Sequence, residues 1–190
     1  MAFQYTDRHR EEYERDGLTV LRGVIPPALV EDLRRESETA RELARRRHGP
    51  PGQRLQPAYA YEELNSRPFR DFLELPGMRA AVENILGPTH APSDIMGILL
   101  EPAEEAWCTG WHRDWGYNVS GLDLDEFFRV IRNLRMFNQL NGALYDDHSL
   151  WVVPGSHNRD DTAEERAAFP RVPPPGPAHG RSCSCACRTA

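Results

Sequence analysis

The segment that most constrains the fold is a long stretch near the start of the chain with one apolar face. In "PPALVEDLRRESETARELARRR", Pro27 stands near a helix start, and apolar residues then recur at helical spacing. They are Leu29, Val30, Leu33, Ala40 and Leu43. The stretch runs into "HGPPG", residues 48–52, whose glycines and prolines end a helix. The sequence therefore predicts one long helix that must bury its apolar side.

The other predicted elements place helices first and strands later. A short polar helix covers residues 7–15, a turn falls at Asp16-Gly17, a strand covers Leu18 to Leu21, and residues 53–68 form a loop. "FRDFLELPGMRAAVENILG" is typical of two short helices broken at Pro76-Gly77. Strands are predicted in "DIMGILLEP", "RMFNQLNGALYDD" and "SLWVVPGSH", and a small helix with an Asp or Thr cap in "DDTAEERAAF". This order favours an α+β chain, or a small-stranded sandwich with helices packed on one side.

A change of composition near the C-terminus divides the chain. Its 190 residues predict one domain followed by a tail. From Arg171, "RVPPPGPAHGRSCSCACRTA" has no apolar period of either kind, so it cannot add an element to a core. We therefore expect a folded domain over residues 1–170 and a disordered tail over residues 171–190.

Charge and composition argue against several classes of partner. The net charge of −6 does not suit binding to a phosphate backbone, so no nucleic-acid partner is expected. The chain has no run of 18 apolar residues, so no membrane span is expected, and its N-terminus is too charged for a signal peptide. One of the four cysteines stands alone and three lie together near the end, unlike a disulfide framework. We expect a cytoplasmic protein.

The stretch "WHRDWGYN" holds a histidine and an aspartate two residues apart, His112 and Asp114. On a strand, side chains at this spacing leave the same face. Iron(II) oxygenases bind their metal through two histidines and one carboxylate, which leave one side of the octahedron open. His112 and Asp114 are candidates for two of these three ligands, and a solvated surface pair is the simpler alternative.

Four stretches, taken in order, resemble the phytanoyl-CoA dioxygenase family of iron(II)- and 2-oxoglutarate-dependent oxygenases. They are "YERDGLTVLRGVIPPALVEDLRRE", "WHRDWGYN", "NQLNGALYDD" and "LWVVPGSHNR", and they run from Tyr13 to Arg159. The resemblance implies a double-stranded β-helix, a cupin-like jelly roll with N-terminal helices packed on one sheet. It also implies Fe(II) on His112 and Asp114, with 2-oxoglutarate and O2 as cosubstrates. The expected activity is hydroxylation of a small organic or acyl substrate.

The resemblance also suggests residues that hold 2-oxoglutarate. The matching positions are Met96 in "DIMGILL" and Gln139 and Asn141 in "NQLNGALYDD". Met96 has an alternative reading as a core methionine on an apolar strand.

The third ligand is where the chain departs from the family pattern. In the family, a histidine on a late strand completes the triad, and an arginine beyond it pairs with the far carboxylate of 2-oxoglutarate. His179, with Arg188 nine residues later, is the candidate pair here, although "VPPPGPA" offers no strand to carry it. His157, in "PGSH", is read as a structural turn residue.

Two hypotheses concern the tail. Its Arg, Ala, Ser and Cys content is typical of GC-rich DNA read in the wrong frame, so we expect a frameshift near residues 173–176 and an incomplete barrel. The alternative is a soft-metal site on Cys183, Cys185 and Cys187, but their spacing is not that of structural zinc sites. An incomplete triad keeps a second function open, that of a non-catalytic jelly-roll binding module.

Overall fold

A computed structural model describes most of the N-terminal half of the chain and parts of the rest. The described residues are 3–50, 52–90, 96–100, 138–148, 150–159 and 161–168. They fall into two compact units. The first unit takes the described residues of 1–7, 20–107 and 138–144, and the second takes those of 8–19 and 145–190.

The first unit is built around the long helix that the sequence predicts. This helix, α2, spans Pro27–His48, with proline in its first turn and Gly49 at its C-terminal end. Leu33, Ala40, Leu43 and Ala44 are buried along one face, each less than 5% exposed. Burying a leucine side chain completely contributes about 1.5–3 kcal/mol, so this face anchors α2 to the unit.

Two further helices of the first unit match the prediction of a broken pair. Helix α3 spans Arg67–Leu73 and helix α4 spans Pro76–Leu86. Pro76 begins α4 because proline is tolerated in the first turn, where its missing N–H has no partner to lose. Gly87, with φ of 89°, ends α4. Met78, Ala81 and Ile85 of α4 are buried.

The sheet of the first unit is a two-stranded antiparallel ribbon. Strand β1 is Arg54–Leu55 and strand β2 is Ile98–Leu99, with Arg54 opposite Leu99 and Leu55 opposite Ile98. Leu55 is fully buried and Ile98 is 8% exposed, whereas Leu99 is 50% exposed. Because side chains alternate along a strand, one face of the ribbon joins the core and the other does not. The predicted strand in "DIMGILLEP" is confirmed, but β1 lies where we expected a loop.

Three predicted strands differ from what the structure shows. Residues 18–21 and 138–147 have no strand assignment, and within residues 150–153 only Trp151 makes a bridge. A strand exists only when another segment pairs with it, and apolar alternation supplies no such partner. The described residues therefore show helices and one small sheet, and the jelly-roll barrel stays a prediction.

The second unit contains helix α1, Asp7–Asp16, from its second residue onward, and helix α5, Ala163–Ala168. Helix α5 begins with a reciprocal cap: the Glu165 amide donates to Thr162 Oγ1 at 3.1 Å, and the Thr162 amide donates to Glu165 Oε2 at 2.7 Å. This is the capping box of a Thr-x-x-Glu sequence, and it confirms the predicted threonine cap. No helix in the described ranges is long and apolar enough to cross a membrane.

Candidate functional site

The predicted iron ligands and the described residues do not overlap. His112, Asp114, His179 and Arg188 all lie outside the described ranges, so their placement stays a prediction. Within the described ranges, no group of three or more His, Cys, Asp or Glu side chains could hold a metal ion. The donor types of His112 and Asp114, an imidazole and a carboxylate, suit iron(II).

The ribbon holds the chain just before the His-x-Asp segment. The Ala58 amide donates to the Met96 carbonyl at 2.8 Å, and the Leu100 amide donates to the Gln53 carbonyl at 2.8 Å. These bonds lie on either side of the two paired residues of each strand. Residues 96–100 are therefore held to the core where the chain enters the segment that carries His112 and Asp114.

The Met96 side chain is partly buried and packs against the hydrophobic core of the first unit. This packing is the environment expected of a core methionine, the alternative that its apolar strand suggested. Contact of Met96 with 2-oxoglutarate stays a prediction.

The other two cosubstrate candidates lie side by side. Gln139 and Asn141 are both exposed, and Gln139 Nε2 lies 3.5 Å from Asn141 Oδ1, at the limit of a hydrogen bond. Their spacing of two residues directs both side chains to one side of an extended segment. Together they offer amide donors and acceptors that can bind a carboxylate.

Two contacts anchor the segment that carries this amide pair. Arg34 Nε donates to the Leu144 carbonyl at 2.8 Å, across 110 residues of sequence. A Cβ on Gly142 would lie 3.0 Å from Phe72 Cζ, so the backbone there rests on the aromatic ring of α3. Helices α2 and α3 thus hold the segment, and Gln139 and Asn141 remain accessible.

The structure also draws attention to a glutamine that sequence reasoning missed. Gln56 lies alongside Gly97, since a Cβ on Gly97 would be 3.5 Å from Gln56 Cβ, Cγ and Cδ. Its Oε1 atom is buried without a hydrogen-bond partner, and so is Oε1 of Gln53. Buried acceptors of this kind are usually satisfied by water or a ligand. A lone glutamine in a predicted loop carries no sequence signal for such a position.

In the second unit, the "PGSH" turn meets the end of α1. The Gly155 amide donates to the Asp16 carbonyl at 2.9 Å, and a Cβ on Gly17 would lie 2.5 Å from His157 Cγ and Nδ1. The hydrogen bond from the Arg15 guanidinium holds the pKa of Asp16 below its ordinary value, and the nearby His157 acts in the same direction. His157 thus lies in a turn, Ser156–Asn158 being a short 3-10 helix.

Comparison with known proteins assigns the chain to a family. The sequence model of the phytanoyl-CoA dioxygenase (PhyH) family matches residues 13–175. The matched range contains the His-x-Asp segment, the amide pair and the "PGSH" turn, whereas His179 and Arg188 lie beyond it. A search of curated proteins and a search of solved structures each returned no match.

Proposed function

The chain belongs to the phytanoyl-CoA dioxygenase family, and from this premise we propose that it is a non-haem Fe(II)- and 2-oxoglutarate-dependent hydroxylase. Its proposed substrate is a small organic or acyl molecule. The observation that carries the proposal is the family match itself, because it spans the His-x-Asp segment as well as the segments on either side.

His112 and Asp114 are the proposed metal ligands. A neutral imidazole and a carboxylate from one strand face would bind iron(II) on adjacent positions. Held by these two residues, iron(II) with 2-oxoglutarate would supply the chemistry for O2-dependent hydroxylation of a C–H bond. Trp111 and Trp115 flank the pair in sequence and would restrict access of water to it.

Gln139 and Asn141 have a proposed role in binding the cosubstrate. Their adjacent, exposed amides can donate hydrogen bonds to a carboxylate. The anchors at Gly142 and Leu144 support this role, because a binding group gains from being held before the ligand arrives. Met96 is a weaker candidate, since its side chain packs against the core.

The third ligand is proposed as His179, with Arg188 as the partner of the far carboxylate. An arginine suits this position because its planar guanidinium binds a carboxylate through two parallel hydrogen bonds. Both residues lie beyond the family match, so the experiment below examines His179 as a separate step.

The test is an anaerobic titration of the purified chain with iron(II) in the presence of 2-oxoglutarate. We expect the weak visible charge-transfer band of the metal chelate. The band should be lost in His112→Ala and in Asp114→Ala. His148→Ala is the matched control, because His148 is an exposed histidine outside the proposed site, and it should keep the band.

The outcomes separate the possible functions. A band that survives both ligand variants, or the absence of any band, would overturn the proposal for this chain and favour a jelly-roll module that binds ligands without redox chemistry. A band that is lost in the two ligand variants supports the proposal. His179→Ala then tests the third ligand, since loss of the band in this variant would place His179 on the metal.

A further inference from the structure

The clearest unexplained contact in the described residues joins α1 to the "PGSH" turn. Gly17 follows α1 directly, and its amide donates to the Tyr13 carbonyl at 2.8 Å, with φ of 80°. Glycine commonly ends helices in this conformation because it has no Cβ to clash. Termination of a helix alone, however, does not require an empty space above the glycine.

The His157 side chain occupies the space where a side chain on Gly17 would lie. A Cβ on Gly17 would lie 2.5 Å from Cγ and Nδ1 of the ring and 2.7 Å from His157 Cβ. Real Cβ atoms essentially never come this close to another atom. Rotating the His157 ring would relieve only the first two overlaps, because Cβ moves only with the backbone. Any side chain at position 17 would therefore push the turn itself away.

The backbone on both sides of this contact is joined as well. The Gly155 amide donates to the Asp16 carbonyl at 2.9 Å, and a Cβ on Gly155 would lie 3.7 Å from the Arg15 carbonyl oxygen. Gly155 itself has φ of 73°, so it reaches this position in a left-handed conformation that other residues rarely adopt. Asp16 and Gly17 thus contact the turn, and the Arg15 carbonyl lies close to it.

We propose that Gly17 is a positioning residue, and that its missing side chain is what lets the turn at 154–157 close onto the end of α1. The two motifs, Asp16-Gly17 and Pro154-Gly155-Ser156-His157, then act as one clasp. The clasp holds the chain where "LWVV" ends against the end of α1. This role goes beyond the proposed oxygenase activity and does not depend on it.

A second glycine makes a matched control. Gly23 has φ of 71°, close to that of Gly17, but a Cβ there would meet nothing within 4 Å. Gly17→Ala and Gly23→Ala therefore share the cost of a left-handed alanine, and only Gly17→Ala overlaps with His157. A difference between the two variants reports the clasp and not backbone strain.

The experiment measures hydrogen exchange at the Gly155 amide, whose hydrogen bond to Asp16 closes the clasp. We expect Gly17→Ala to speed this exchange at least about tenfold, whereas Gly23→Ala should change it by less than about twofold. In a His157→Gly background, which removes all three overlapping atoms, Gly17→Ala should have no more effect than Gly23→Ala. In a His157→Ala background, which keeps the Cβ, the effect should be intermediate.

Each other result overturns the proposal. Unchanged Gly155 exchange in Gly17→Ala, or equal acceleration by Gly23→Ala, shows that no clasp depends on the missing side chain. If Gly17→Ala does not fold, the readout becomes folding itself, followed by circular dichroism. In that case the proposal predicts that the double variant Gly17→Ala/His157→Gly folds. If the double variant fails to fold while Gly23→Ala folds, the proposal is refuted.

Discussion

Gly52 lies directly against the backbone of Ala44, near the C-terminal end of α2. A Cβ on Gly52 would be 2.6 Å from the Ala44 carbonyl oxygen, and Gly52 itself is buried. The Gly52 amide donates to the Gly49 carbonyl at 2.9 Å, so the chain turns back onto the helix that it has just left. This contact leads into strand β1 and explains why a glycine stands at the end of "HGPPG".

Gly52→Ala should destabilise the first unit. The atom in the way belongs to a helical backbone and cannot swing aside, so the added methyl group must displace the chain, at a cost of about 1–3 kcal/mol. Gly97→Ala is the matched control, because a Cβ there would meet Gln56 at an ordinary 3.5 Å. Urea unfolding of both variants measures the difference, and equal midpoints would contradict the contact.

Replacing each leucine of the ribbon tests which of its faces belongs to the core. Leu55→Ala should lower the free energy of unfolding by about 2–5 kcal/mol, because the side chain is fully buried and its removal leaves a cavity. Leu99→Ala, on the opposite face and 50% exposed, should change it by less than about 1 kcal/mol. Thermal unfolding of the two variants checks the assignment, which fails if Leu99→Ala is the more damaging.

The capping box of α5 gives a prediction for the second unit. Thr162→Ala removes the acceptor for the Glu165 amide and should cost about 1 kcal/mol of local stability. The Arg159 guanidinium also donates two hydrogen bonds to the Glu165 carboxylate, at 2.6 and 2.7 Å. Fraying of α5 should therefore release the Arg159 side chain as well. Trypsin cleavage after Arg159 should become faster. Thr39→Ala, on the exposed side of α2, serves as the control and should leave this cleavage unchanged.

Asp16 gives a pH prediction with a definite sign. Its pKa is lowered, chiefly by the hydrogen bond from Arg15, so its charged form favours the folded state. This stabilisation is present above the ordinary carboxyl pKa of about 4 and is lost as the pH falls through the lowered folded value. Carbon-13 titration of the Asp16 carboxyl group should show a midpoint that Arg15→Gln raises.

A second ion pair on the same helix supplies the control for this titration. Arg8 donates to Glu12 at 2.9 Å and lowers the pKa of Glu12, but it is not among the groups that shift Asp16. Arg8→Gln should therefore raise the Glu12 midpoint and leave that of Asp16 in place. Because both carboxylates lie near the surface and keep part of their area in contact with solvent, salt should weaken both effects.

The helices could be predicted from the sequence because their signals are local. The period of α2, its proline start and its glycine end all lie within one stretch, and the same holds for the break at Pro76. The strands were less predictable, because β1 is defined by a partner that lies more than forty residues further on. Its residues, Arg54 and Leu55, show no alternation long enough to indicate a strand.

In the candidate site, too, local motifs could be predicted from the sequence and contacts between distant segments could not. The His-x-Asp pair and the "PGSH" turn could be found as short motifs, and of the turn predicted at Asp16-Gly17 the chain direction changes at Gly17, whereas Asp16 still belongs to α1. No local pattern indicated that these two turns contact each other, or that Gln56 lies against Gly97. Such contacts depend on how distant segments pack, which residue spacing does not encode.

The contact between Gly17 and His157 also has a consequence for the order of events on the ribosome. About 140 residues separate the two positions, so at roughly 5–20 residues per second the first is synthesised about 7–30 s before the second. During that interval the turn at 154–157 does not yet exist to pack against α1. A polar helix of ten residues has only marginal stability by itself. The N-terminal helix is therefore among the first segments to emerge and among the last to reach its final place.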